Sequence, residues 1–100
     1  MAFTVLGTSL TMAPEVLEER PYSYEADIWS IGVVYYSLLY GKEPFTGRTD
    51  YEILNKIKKT PIDFSGVNIS KESKDFLERC LTIRPTERIN WTEIYQHPLL

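Results

Sequence analysis

One hundred residues with 43% apolar and 25% charged side chains and a net charge of -3 suit one small globular domain. The chain is too apolar for disorder and lacks the basic excess of a nucleic-acid binder. One cysteine, Cys80, and one histidine, His97, allow no internal disulfide and no zinc-ligand spacing, so a reducing compartment and no metal are expected.

The opening MAFTVLG has neither the charged start nor the long apolar core of a secretory signal, which makes cytoplasm, or nucleus, the expected location. Pro14 suits a first helical turn because its missing N–H costs nothing there, and APEVLEER reads as a short helix stopped by Pro21. Ser23 is the expected N-cap of the next helix, with Glu25 and Asp27 in its first turn and Gly41 closing it before Pro44. Ile28, Trp29, Ile31, Val33, Val34, Tyr35, Leu38 and Leu39 leave that helix almost no polar face, so it is expected to be central and buried on nearly all sides. A membrane span needs about 20 apolar residues, and Asp27, Ser30 and Ser37 interrupt a shorter run.

DYEILNKIKK follows, capped by Thr49 or Asp50, with its lysines compensating the helix dipole rather than forming a binding patch. PIDFSGVNI reads as an extended loop, since Gly66 and the lack of a pairing partner argue against a strand. SKESKDFLERCL starts at Ser70 and aligns Phe76, Leu77, Cys80 and Leu81, and NWTEIYQHP opens with Asn90 and Glu93 at capping-box spacing. The fold class is mainly α, with helices around one central buried helix.

Three blocks in order, GTSLTMAPEVL, DIWSIGVVYYSLLYGKEPF and RPTERINWTEIYQHPLL, resemble the C-terminal lobe of eukaryotic protein kinases, from the end of the activation segment to the last helix. A lone Ala-Pro-Glu is weak evidence, whereas three ordered blocks covering essentially the whole chain are specific. The resemblance implies that residues 1–100 are a partial kinase domain, with the N-lobe and catalytic loop outside it. It is similar to serine/threonine kinases, and MAPEVL and HPLL suit the calmodulin-dependent-type or Unc-51-like groups.

By the same resemblance, Gly7 and Thr8 begin the P+1 loop, where the Thr hydroxyl helps hold the substrate hydroxyl. The competing reading of Thr8 is a turn residue satisfying its own backbone. Ser9, Leu10 and Met12 shape the pocket for the residue after the phosphoacceptor, while Thr11 stands where the family usually has Tyr. Glu15 matches the glutamate that pairs with an arginine near the lobe's end, here Arg88. Asp27 matches the aspartate that accepts hydrogen bonds from the catalytic loop, with Trp29, Ser30 and Gly32 in the same block. Gly32 is expected to let a neighbouring element approach closely, because a helix-interior Gly otherwise costs about 1 kcal/mol against Ala. Arg84 stands where an acidic or amide residue commonly precedes the Pro, and Thr4 stands where many members carry an activation phosphate.

Phosphoryl transfer in this family uses a Gly-rich loop, a lysine–glutamate pair, a catalytic Asp, and an Asn and an Asp for magnesium. The sequence has no Gly-x-Gly-x-x-Gly and no His-Arg-Asp, and its Asp63-Phe64 is followed by Ser65. The resemblance thus implies ATP and magnesium for the full-length family, but no catalytic residue and no cofactor in this chain alone. Its expected partners are protein substrates carrying Ser or Thr and the missing N-terminal kinase half, with no nucleic acid and no membrane. A noncatalytic module binding through Gly7 to Met12 and the helix near Tyr51 to Lys59 is the second reading, and an unrelated helical domain the third. Without the covering half, apolar surface around Ile28, Trp29 and Val33 is expected to lie open and drive association.

Overall fold

The computed structural model describes residues 9–100. Residues 9–11 are helical, and after them come α1 (Pro14–Leu17), α2 (Tyr24–Tyr40), α3 (Asp50–Lys59), α4 (Lys71–Cys80), a 3-10 turn (Pro85–Glu87) and α5 (Trp91–Tyr95). Among the described residues there is no strand.

Side-chain caps set three of these starts. Thr49 accepts the Glu52 N–H at 3.1 Å, and Ser70 accepts the Ser73 N–H at 3.0 Å. At α5 the box is reciprocal, with Asn90 accepting from the Glu93 amide and Glu93 from the Asn90 amide. The start of α2 differs from expectation. Ser23 occupies the N-cap position but makes no capping bond, and its hydroxyl donates to the Glu25 carboxylate instead. That bond holds the Glu25 carboxyl below its usual value. α1 is also shorter than APEVLEER, because it ends at Leu17 and Glu19 turns the chain at a φ of 57°.

α2 separates two apolar clusters. Ala13, Ala26, Trp29, Val33 and Phe45 meet Ile53 and Ile57 of α3 on one side. On the other, Ile28 meets Phe76 and Cys80 of α4 and Ile94 of α5. Gly32 sets the spacing to α4, since a Cβ there would lie 2.7 Å from the Cys80 Cβ. Gly41 ends α2 in the left-handed conformation, φ 75°.

The open face of α2 is not where the sequence placed it. Ile28, Trp29 and Val33 are buried, whereas Ile31 and Leu38 are exposed, Leu38 at 78%. With Ser30, Val34 and Tyr35 they line an open apolar groove. A helix apolar on every side does not disclose which side the rest of its own chain covers. Here α4 and α5 cover the Ile28 side, α3 covers the Val33 side, and the third side stays open.

The loop between α3 and α4 is extended. Tyr36 and Tyr40, stacked with ring centroids 4.2 Å apart, reach it from α2. The Tyr36 hydroxyl donates to the Asp63 carbonyl, and the Tyr40 hydroxyl donates to the Phe64 carbonyl at 2.8 Å. Burial pushes both phenols up, so they remain donors.

Gly32→Ala should lower stability by about 1–2 kcal/mol in urea denaturation, because overpacking against α4 outweighs the gain in helix propensity. Burial pushes the Cys80 thiol up to about 12, so iodoacetamide at pH 8 should label it only after unfolding. Rapid labelling of the native chain would contradict this packing.

Candidate functional site

The polar centre of the molecule is built from residues far apart in the chain. α1 opens with Pro14 and places Glu15, 1% exposed, against the interior. The 3-10 turn Pro85–Glu87 returns the chain inward, so that Arg88 follows it as a buried side chain. The two meet across 73 residues as a fork on a fork. Arg88 Nη1 donates to Glu15 Oε2 at 2.9 Å and Nη2 to Oε1 at 3.0 Å.

A buried guanidinium has five N–H donors to satisfy, and each finds an acceptor. Nη1 also donates to the Glu25 carbonyl at 2.6 Å, Nη2 to the Ile83 carbonyl at 3.0 Å, and Nε to the Thr82 carbonyl at 2.8 Å. Trp29 covers the guanidinium face, with Arg88 Cζ 5.2 Å from the ring, which adds a cation–π contact. Phe45 stacks on the same indole at 6.2 Å. The Trp29 indole N–H is buried without a hydrogen-bond partner among the described residues.

The other sequence candidates sit around this centre or away from it. Ser9, Leu10 and Met12 are half-buried just before α1, where the Met12 N–H donates to the Ser9 carbonyl at 3.3 Å. Leu10 packs on the cluster containing Trp29. Asp27 is exposed in the first turn of α2. Gly7, Thr8 and Thr4 lie outside the described residues. Sequence reasoning missed two polar contacts near this region. Ser30 donates to the Thr11 carbonyl at 2.7 Å, and Lys58 of α3 pairs with Glu18 at the end of α1. The Lys58 hydrogen bond, with Arg20 adding to it, holds the Glu18 carboxyl below its usual value. Lys58 therefore ties α3 to α1 as well as compensating its own helix.

His97 pairs with Asp75, Nε2 to Oδ2 at 2.7 Å, while its Nδ1 accepts the Leu99 N–H at 3.0 Å. With both nitrogens engaged and the side chain 1% exposed, it fastens the last turn to α4. Among the described residues no group of three or more His, Cys, Asp or Glu is placed to hold a metal ion. The arrangement anchors the segment around α1 rather than assembling a nucleophile and a base.

The family model described as protein kinase domain matches residues 2–100. Calcium-dependent protein kinase 3 of Plasmodium berghei (strain Anka) is 46% identical over 98 residues, covering 95% of this chain and 18% of that protein. Serine/threonine-protein kinase 36 of Pongo abelii is 37% identical, covering 97% and 7%. Serine/threonine-protein kinase ATG1b of Arabidopsis thaliana is 35% identical, covering 100% and 14%. The solved twitchin kinase region from C. elegans superposes with a TM-score of 0.81 at 37% identity, over 92% of this chain and 17% of that one. The chain thus spans at most 18% of the length of these proteins.

Removing one partner of a buried, bonded ion pair leaves the other charge uncompensated. Glu15→Ala or Arg88→Ala should each cost about 3–5 kcal/mol, a large part of a small domain's margin, in chemical denaturation. Arg88→Lys should also destabilise, since an ammonium has three donors for a site built around five. A loss below about 1 kcal/mol in all three variants would contradict the anchor.

Proposed function

The chain belongs to the protein kinase family, and from that premise we propose that it is the C-terminal part of an ATP-dependent serine/threonine protein kinase, holding peptide substrate beside catalytic groups carried elsewhere. The observation that supports this most is the Glu15–Arg88 fork, which fastens the segment just after Ser9–Met12 to the far end of the chain. Such an anchor suits a loop that must present a fixed shape to a peptide. In this reading Gly7, Thr8, Ser9, Leu10 and Met12 receive the peptide around its phosphoacceptor. Asp27, exposed at the start of α2, receives the backbone of the catalytic loop, and Thr4 is a site of activating phosphorylation.

The sequence holds no Gly-rich loop, no His-Arg-Asp and no Asp-Phe-Gly, so its residues do not fit ATP and magnesium on their own. Those groups come with the preceding part of the domain, and the open face of Ile31, Val34 and Leu38 is the surface that part would cover. The relatives named as calcium-dependent and ATG1 kinases accord with a calmodulin-dependent-type or Unc-51-like relationship, and a cytoplasmic location accords with the single buried cysteine. The second reading is a noncatalytic module that binds substrates or regulators through the same loop. The two readings separate on whether sequence preceding Met1 encodes the nucleotide motifs.

The longest natural polypeptide containing these residues should transfer the γ-phosphate of ATP to Ser or Thr peptides, and the 100-residue chain alone should not. Transfer by the purified chain alone would overturn this reading. Peptide binding without transfer in the longest polypeptide would favour the noncatalytic module.

A further inference from the structure

The helical turn before α1 has a second fastening besides the ion pair. Ser30, one turn into the apolar stretch of α2, donates its hydroxyl to the Thr11 carbonyl at 2.7 Å across 19 residues. The same oxygen lies 3.2 Å from the Ala26 carbonyl, one turn back on its own helix. A hydroxyl has one proton and two acceptors compete for it here, and the shorter contact is the one to the loop. The held atom is main chain, so the bond survives the presence of Thr rather than a larger residue at position 11. Leu10 and Met12 flank that carbonyl, and the Met12 amide closes the turn onto Ser9. Fixing the Thr11 carbonyl therefore fixes the direction in which both neighbouring side chains leave the backbone.

We propose that Ser30 is a positioning residue that fixes the Ser9–Met12 segment against α2 through the Thr11 carbonyl. Its functional consequence rests on the reading of that segment as the peptide-receiving one. Ser30 also stands at the rim of the apolar groove with Ile31, Val34, Tyr35 and Leu38.

The test compares wild type, Ser30→Ala and Ser30→Thr. Ala is the strongest helix former, so its substitution removes the hydroxyl without weakening α2. In the 100-residue chain, Ser30→Ala should speed hydrogen exchange at the Met12 amide by roughly three- to tenfold, leave the amides of Val33 to Ser37 unchanged, and be reversed by Ser30→Thr. Unchanged exchange at Met12 would overturn the proposal, as would a uniform rise that includes the α2 amides, which would mark Ser30 as a residue of the fold alone. In the longest natural polypeptide, Ser30→Ala should raise the peptide KM by roughly three- to tenfold with kcat within about twofold of wild type. A fall in kcat at unchanged KM would overturn the proposal. Failure of the kinase reading is distinct, because wild type itself would then transfer no phosphate while the exchange measurement still decides the role of Ser30.

Discussion

The guanidinium of Arg88 is the point on which the architecture depends. Three separate stretches converge on it: Glu15 from α1, the Glu25 carbonyl and the Trp29 ring from the first turns of α2, and the Thr82 and Ile83 carbonyls after α4. No apolar group in that position would specify the same geometry. Burying two charges is expensive, and a well-packed hydrophobic replacement of a buried pair is often as stable or more so. What the pair contributes is direction. Five donors in a rigid plane accept one arrangement of acceptors, so segments distant in sequence are brought into one register.

α2 is the frame to which these fastenings connect. Gly32 lets α4 approach until side-chain carbons touch, which makes the α2–α4 contact close and unyielding. Trp29, on the adjacent side, serves both the guanidinium and the apolar cluster shared with α3. The third side is the open groove, and Ser30 stands where that side meets the loop preceding α1. Rigid support and an open apolar surface thus occupy one helix.

Much of this was legible in the residues, and the illegible parts share a cause. Thr49, Ser70 and the Asn90–Glu93 box mark helix starts because a side chain competes locally for a backbone amide. Ser23 carries the same signal and does not cap: its backbone, at φ -142° and ψ -147°, departs from the extended geometry of the other three caps, and its hydroxyl turns to the Glu25 carboxylate. The mainly α class follows from periodicity, whereas the covered sides of α2 do not, since Ile28, Ile31, Val33 and Leu38 are equally apolar. No local rule links Glu15 to Arg88; the match of ordered blocks suggested that pair. The remaining partners of Arg88, and the acceptor of Ser30, are main-chain carbonyls. Every residue owns one, so residue identity carries no trace of which is used.

The same property has an evolutionary corollary in the strap held by Tyr36 and Tyr40. Both phenols grip peptide oxygens, those of residues 63 and 64, and Tyr36 also meets the Phe64 ring, with centroids 6.4 Å apart. Substitution at those two positions leaves both tyrosine bonds available, while the side-chain constraint falls on the tyrosines, on the Phe64 ring and on the Asp63 carboxylate that accepts from Ser65.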